Sequence, residues 1–128
     1  MKGVTVQELI DDRTHNLELC IVSGQKGLLR KIYNPRIQKL GLVVTGHMVY
    51  LHPHRMQILG NTEISYLKSL DEAKITTIIG ELCKNDVVCF VITRNLKAPE
   101  RLLEETERQN IPLLRTKLIT SVLIARVT

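Results

Sequence analysis

The segment from Ser69 to Ile92 constrains this chain more than any other. Ile75, Ile78, Ile79, Leu82 and Cys83 recur at helical spacing, which puts them on one apolar face. Ser69 and Glu72 have the spacing of a capping box, so the helix is predicted to run from Ser69 to Lys84, with Asn85 as a left-handed stop. Val87 to Ile92 follows as an unbroken apolar run, the pattern of a strand covered on both faces. Pro99 is suited to the first turn of another helix, in which Leu102 and Leu103 turn inward while Glu104, Glu105, Glu107 and Arg108 stay wet. Ile111 to Leu114 reads as the next strand. Alternation of helix and buried strand predicts βαβ units with right-handed crossovers.

The N-terminal half reads differently. Val4, Val6, Leu9 and Ile10 predict a short helix ending near Asp12. Leu17 to Val22 and Leu28 to Tyr33 read as two strands of a hairpin, joined by the turn Ser23-Gly24-Gln25-Lys26-Gly27. Asn34-Pro35 closes the second strand. Leu40 to Val44 is buried but of open type, and Met56 to Leu59 is a short strand ended by Gly60. Thr116 is expected to cap a last helix through Leu118, Ile119, Val122 and Leu123. The predicted class is α/β: a mixed sheet with an N-terminal hairpin and parallel βαβ units, with helices on both faces. The 128 residues read as a single domain, in which residues from about 116 to 128 lead into a linker.

Aromatic residues make up 3% of the chain, with no Trp and one Phe, so the core must be aliphatic. That argues against a sugar-stacking surface or a single-strand nucleic-acid platform. The net charge of +5 is unevenly placed. No acid occurs between Glu18 and Glu63, a stretch that holds Lys26, Arg30, Lys31, Arg36, Lys39 and Arg55, together with His47, His52 and His54. No recognition helix or nucleic-acid motif accompanies these bases. An anion-binding surface is therefore expected, if anywhere, around Arg36, Lys39, His52, His54 and Arg55, unless acids of the later helices fold over it.

Other chemistry is poorly represented. Ser23-Gly24-Gln25-Lys26-Gly27 is glycine-rich but links two strands, whereas a nucleotide loop opens onto a helix N-terminus. His47, His52 and His54 lack a neighbouring Cys, Asp or Glu to complete a metal set, and Pro53 disfavours a regular strand there, so no metal site is expected. His15 reads as a surface residue beside Asp11 and Asp12. Nothing places a base beside Ser65, and Glu63 near Arg55 reads as a structural pair rather than an acid catalyst. No catalytic residue is assigned. Cys20, Cys83 and Cys89 lack a Cys-x-x-Cys pair and read as buried, reduced thiols of a cytoplasmic protein. Met1-Lys2-Gly3 leads into an amphipathic segment rather than a signal sequence, and Val87 to Ile92 is too short to span a bilayer.

The run Arg55-Met56-Gln57-Ile58-Leu59-Gly60-Asn61-Thr62-Glu63-Ile64-Ser65-Tyr66-Leu67 resembles a signature in the N-terminal domain of bacterial HPr kinase/phosphorylases. There an Arg-Ile-Gln-aliphatic-aliphatic-Gly strand runs into Thr-Glu-aliphatic-Ser-aromatic-Leu. Further pieces follow in the family's order: Leu40-Gly41-Leu42 with Thr45-Gly46, then Val91-Ile92-Thr93-Arg94, then Ile111-Pro112-Leu113-Leu114-Arg115-Thr116. One departure is the turn Gly27-Leu28-Leu29-Arg30, where the family often has Gly-Leu-Asp-Arg. The resemblance implies a fold like the N-terminal domain of muramyl ligases. It also implies a non-catalytic regulatory or assembly domain of a bifunctional enzyme in bacterial carbon-source regulation. ATP and Mg²⁺ would belong to an absent catalytic domain, and none of that domain's residues maps onto this sequence. The implied partners are that catalytic domain, the phosphocarrier HPr and further copies in an oligomer. A stand-alone module sensing a phosphorylated metabolite or nucleotide is the alternative.

Overall fold

The computed structural model describes residues 3–34 and 36–127. The expected strand stop at Pro35 and the far end of the expected linker at Thr128 lie outside them, as do Met1 and Lys2. Two strands open and close the N-terminal segment: β1 (Val4–Thr5) and β3 (Lys31–Ile32), paired antiparallel with Val4 opposite Ile32. Between them lie helix α1 (Val6–Asp11) and strand β2 (Cys20–Ser23). The chain continues as β4 (Ile37–Lys39), α2 (Gly41–Val44), β5 (Met56–Leu59), α3 (Asn61–Ser69), α4 (Glu72–Lys84) and β6 (Cys89–Ile92). It ends with α5 (Glu100–Gln109), β7 (Leu113–Arg115) and α6 (Thr120–Val127).

The main sheet has five strands in the order β2-β7-β6-β5-β4, with β4 to β7 parallel and β2 antiparallel at the edge. The α/β class with a mixed sheet therefore holds. Alternation along the strands divides the core in two. Leu59, Phe90, Ile92 and Leu113 pack under α2 to α5, with Ile64, Leu67, Ile79, Leu82 and Leu102. Ile58, Cys89, Val91 and Leu114 face the other way, under α1 and α6, with Val6, Leu17 and Leu123. Helices thus cover both faces, which is why β5 and β6 are buried at every position and why β6 reads as a continuous apolar run.

The expected hairpin does not form. β2 pairs with β7, Cys20 opposite Arg115, and β3 turns away to pair with β1. The turn between them is a 3₁₀ segment, Gln25–Gly27, which Arg30 carries off course. Arg30 donates to the carbonyls of Gln109 and Asn110 at the end of α5, and to Asp86 at 2.6 Å. Gly24 is left-handed at φ 73°, and a Cβ there or at Gly27 would collide with the Ile111 or Asn110 carbonyl. The turn is held against the α5–β7 corner rather than opening a return strand.

Two helix starts and the conformation of one helix stop also differ from expectation. α4 starts after Asp71, whose carboxylate accepts from Lys74 N, while Ser69 ends α3 and donates to the Tyr66 carbonyl. Asp71 is the stronger cap because its charge also suits the helix N-terminus. Asn85 closes α4 in a right-handed conformation, donating through Nδ2 to the Glu81 carbonyl; the left-handed residue is Asp86. Thr116 is buried and donates to the Leu17 carbonyl, so it pins the β2 approach to β7, and α6 begins four residues later.

Candidate functional site

The N-terminal ends of the parallel strands gather most of the basic residues expected at an anion-binding surface. Ile37 pairs with Met56, so Arg36 and Arg55, each one residue earlier, are neighbours across β4 and β5. Neighbouring strands lie about 4.8 Å apart, so two arginine side chains there can reach one ligand. The loop before β5 is folded back by two glutamines. Gln38 donates to the Tyr50 carbonyl and accepts from His52 N at 2.8 Å. Gln57 donates to the carbonyls of both His52 and Arg55. Pro53 accepts from Val88 N at 2.9 Å, which fastens the loop over the start of β6. His52 and His54 are exposed on this loop. Lys39 is not gathered with them: it pairs with Ile58, on the opposite face of β4 from Gln38.

The later acids fold over only one of the six bases in the acid-free stretch. Arg30 pairs with Asp86, but Lys26, Lys31, Arg36, Lys39 and Arg55 form no ion pair among the described residues. The Nε of Arg55 is buried and finds no acceptor there, and neither does the Oε1 of the fully buried Gln57 find a donor.

Arg36 also lines a cleft of about 590 Å³ between α1, β3, β4 and the end of α6, which Arg55 and His52 do not line. Its floor is Leu9, Ile32, Ile37, Met56 and Val127, and its rim carries Glu8, Asp11, Asp12 and His15. These carboxylates are already engaged: Glu8 accepts from Thr5 in a capping box, Asp11 from Gln7, and Asp12 from His15 at 2.6 Å. The bond from His15 holds the Asp12 carboxyl below its ordinary range. The cleft was not legible in the sequence, because β3 was expected in the hairpin rather than beside α1.

The signature segment is structural. It turns from β5 into α3 at Gly60, where Glu63, buried at 4% exposure, accepts from the Gly60 amide at 2.8 Å. A Cβ on Gly60 would crowd the hydroxyl of Thr120, which is hydrogen-bonded to Thr93. Gly60 thus lets α3, the end of β6 and the start of α6 meet. Glu63 does not pair with Arg55, since the two lie beyond opposite ends of β5. Ser65 is exposed. The Gly24 amide donates to Glu107 at 2.7 Å, so a carboxylate already occupies the glycine-rich turn.

Burial pushes the thiols of Cys83 and Cys89 up to about 12. Cys20, expected to be buried, is exposed at the start of edge strand β2. No group of three or more His, Cys, Asp or Glu that could hold a metal occurs among the described residues. No helix there is long and apolar enough to cross a membrane.

Residues 4–128 match the family model described as the HPr serine kinase N terminus. The chain belongs to this family. It is 42% identical over 126 residues to the HPr kinase/phosphorylase of Geobacter sulfurreducens, covering 98% of this chain and 40% of that protein. It is 34% identical over 127 residues to the HPr kinase/phosphorylase of Levilactobacillus brevis, covering 99% of this chain and 40% of the relative. The chain therefore spans about 40% of the length of these HPr kinase/phosphorylases, and their catalytic portion lies outside it. The fold is also similar to the regulatory region of Clostridium perfringens pyrophosphatase. That region, which comprises CBS and DRTGG domains, was solved with the activator diadenosine tetraphosphate. The TM-score is 0.63 at 12% identity, over 96% of this chain and 45% of the other.

Proposed function

We propose that this chain is the non-catalytic regulatory and assembly domain of a bifunctional HPr(Ser) kinase/phosphorylase, acting in the cytoplasm in carbon-source regulation alongside the phosphotransferase system. The observation that carries the reading is the match of nearly the whole chain to the N-terminal part of such proteins. On this reading ATP and Mg²⁺ are cofactors of the catalytic domain, which is the chain's first partner. HPr and further copies of the full-length protein are the others. A domain swap tests the reading: this chain replaces the corresponding N-terminal region of the Geobacter sulfurreducens relative. The chimera is expected to phosphorylate HPr and to keep the parent's oligomeric state and response to effectors. A chimera that behaves like the catalytic domain alone would contradict the assignment.

A second reading is a ligand-sensing module for a phosphorylated metabolite or nucleotide. It is favoured by Arg36 and Arg55 at the β4–β5 ends, which form no ion pair among the described residues. The neighbouring fold's occurrence in a regulatory region solved with a nucleotide activator is consistent with it.

A further inference from the structure

We infer that the mouth of β4 and β5 is a binding site for a phosphate-type oxyanion, held by Arg36, Arg55 and His52. The site deepens the second reading by giving its ligand a place and a chemistry. Register sets the two guanidinium-bearing residues side by side, and like charges at that spacing repel unless an anion lies between them. The acid at this end of the sheet, Asp86, is engaged by Arg30. The carboxylates of the α1 cleft are engaged by Thr5, Gln7 and His15, and none forms an ion pair with Arg36. The Arg55 Nε–H is buried without an acceptor, which an anionic oxygen would supply. Beside it the Gln57 Oε1 is buried without a donor, which a protonated phosphate oxygen would supply.

The chemistry favours phosphate over carboxylate. Two forked guanidinium groups and an imidazole ask for more acceptor positions than a carboxylate's two oxygens, and a terminal phosphate offers three. The loop is also preorganised. Gln38 and Gln57 fix His52 and Arg55 through their backbones, so little ordering is left for a ligand to impose.

The test is titration of inorganic phosphate, glucose 6-phosphate, AMP and acetate into the ¹⁵N-labelled chain at constant ionic strength. Amide shifts are expected to cluster at Arg36–Gln38 and His52–Gln57 with phosphate and its monoesters, but not with acetate. Tighter binding of a monoester than of phosphate would mark a metabolite or nucleotide site, and the reverse a site for the free ion. Arg36→Gln and Arg55→Gln, with spectra showing an intact fold, should each weaken binding at least about tenfold, as loss of a charge-assisted fork requires. Acetate acting like phosphate, shifts confined to the start of α5, or unchanged affinity in both variants would overturn the site. Because binding is read without HPr or a catalytic domain, its failure leaves the family role standing. A failed chimera likewise leaves the site standing.

Discussion

At the scale of single residues, surroundings rather than sequence neighbours decide the chemistry. Cys20, Cys83 and Cys89 all sit among apolar residues in the chain, and the sequence therefore gives no reason to separate them. The fold does: Cys20 lies on an edge strand facing solvent, Cys89 in the centre of the sheet, and Cys83 on the buried face of α4. Thiolates are the reactive form, and burial holds Cys83 and Cys89 at about 12, far above working pH. Thiol titration of the native chain at pH 8 should therefore label Cys20 alone, with Cys83 and Cys89 reacting only in denaturant. Rapid native labelling of either buried thiol would show that the core opens at that point. Glu63 makes the same argument in reverse. Its spacing from Arg55 in sequence suggested a pair, yet β5 runs between them, and the carboxylate instead closes the first turn of α3.

At the scale of elements, the strands covered on both sides were legible and the peripheral ones were not. Met56–Leu59 reads with its observed boundaries from the stop at Gly60, although the buried Gln57 interrupts its apolar run. The run Val87–Ile92 places β6 to within a few residues, and Pro99 marks the start of α5, whose N-cap it is. α3 was missed as a helix. Among its nine residues only Ile64 and Leu67 are buried apolar positions, too few to show a helical period. The hairpin failed because glycine turns between apolar runs look alike whether the chain returns or not. What diverts this one is Arg30, which couples the turn to the end of α5 some eighty residues later. Arg30→Ala should cost about 1–3 kcal/mol, since it removes the donors of several carbonyl groups, one of them beneath the α4–β6 corner. Asp86→Ala should cost less than about 1 kcal/mol, because its carboxylate is largely exposed. Urea denaturation of the two variants checks the ordering. Equal losses would mean that the ion pair, not the carbonyl bonds, holds the turn.

At the scale of the whole molecule, the chain is an α/β domain whose clefts lie at its edges. The crossovers between β4 and β7 place α2 to α5 on one face, and α1 and α6 close the other. The absence of acids between Glu18 and Glu63 is visible in the sequence, and the structure places Arg36, Arg55, His52 and His54 before the N-terminal ends of β4 and β5. It leaves Lys39 apart, because a strand's alternating faces cannot be assigned until its partner is known. On the proposed reading the chain transfers no phosphate by itself. The direct measurement is incubation of the purified chain with ATP, Mg²⁺ and HPr, followed by detection of phosphorylated HPr and released ADP. The account predicts neither above a protein-free control; turnover that stays with the chain through successive purification steps would contradict it.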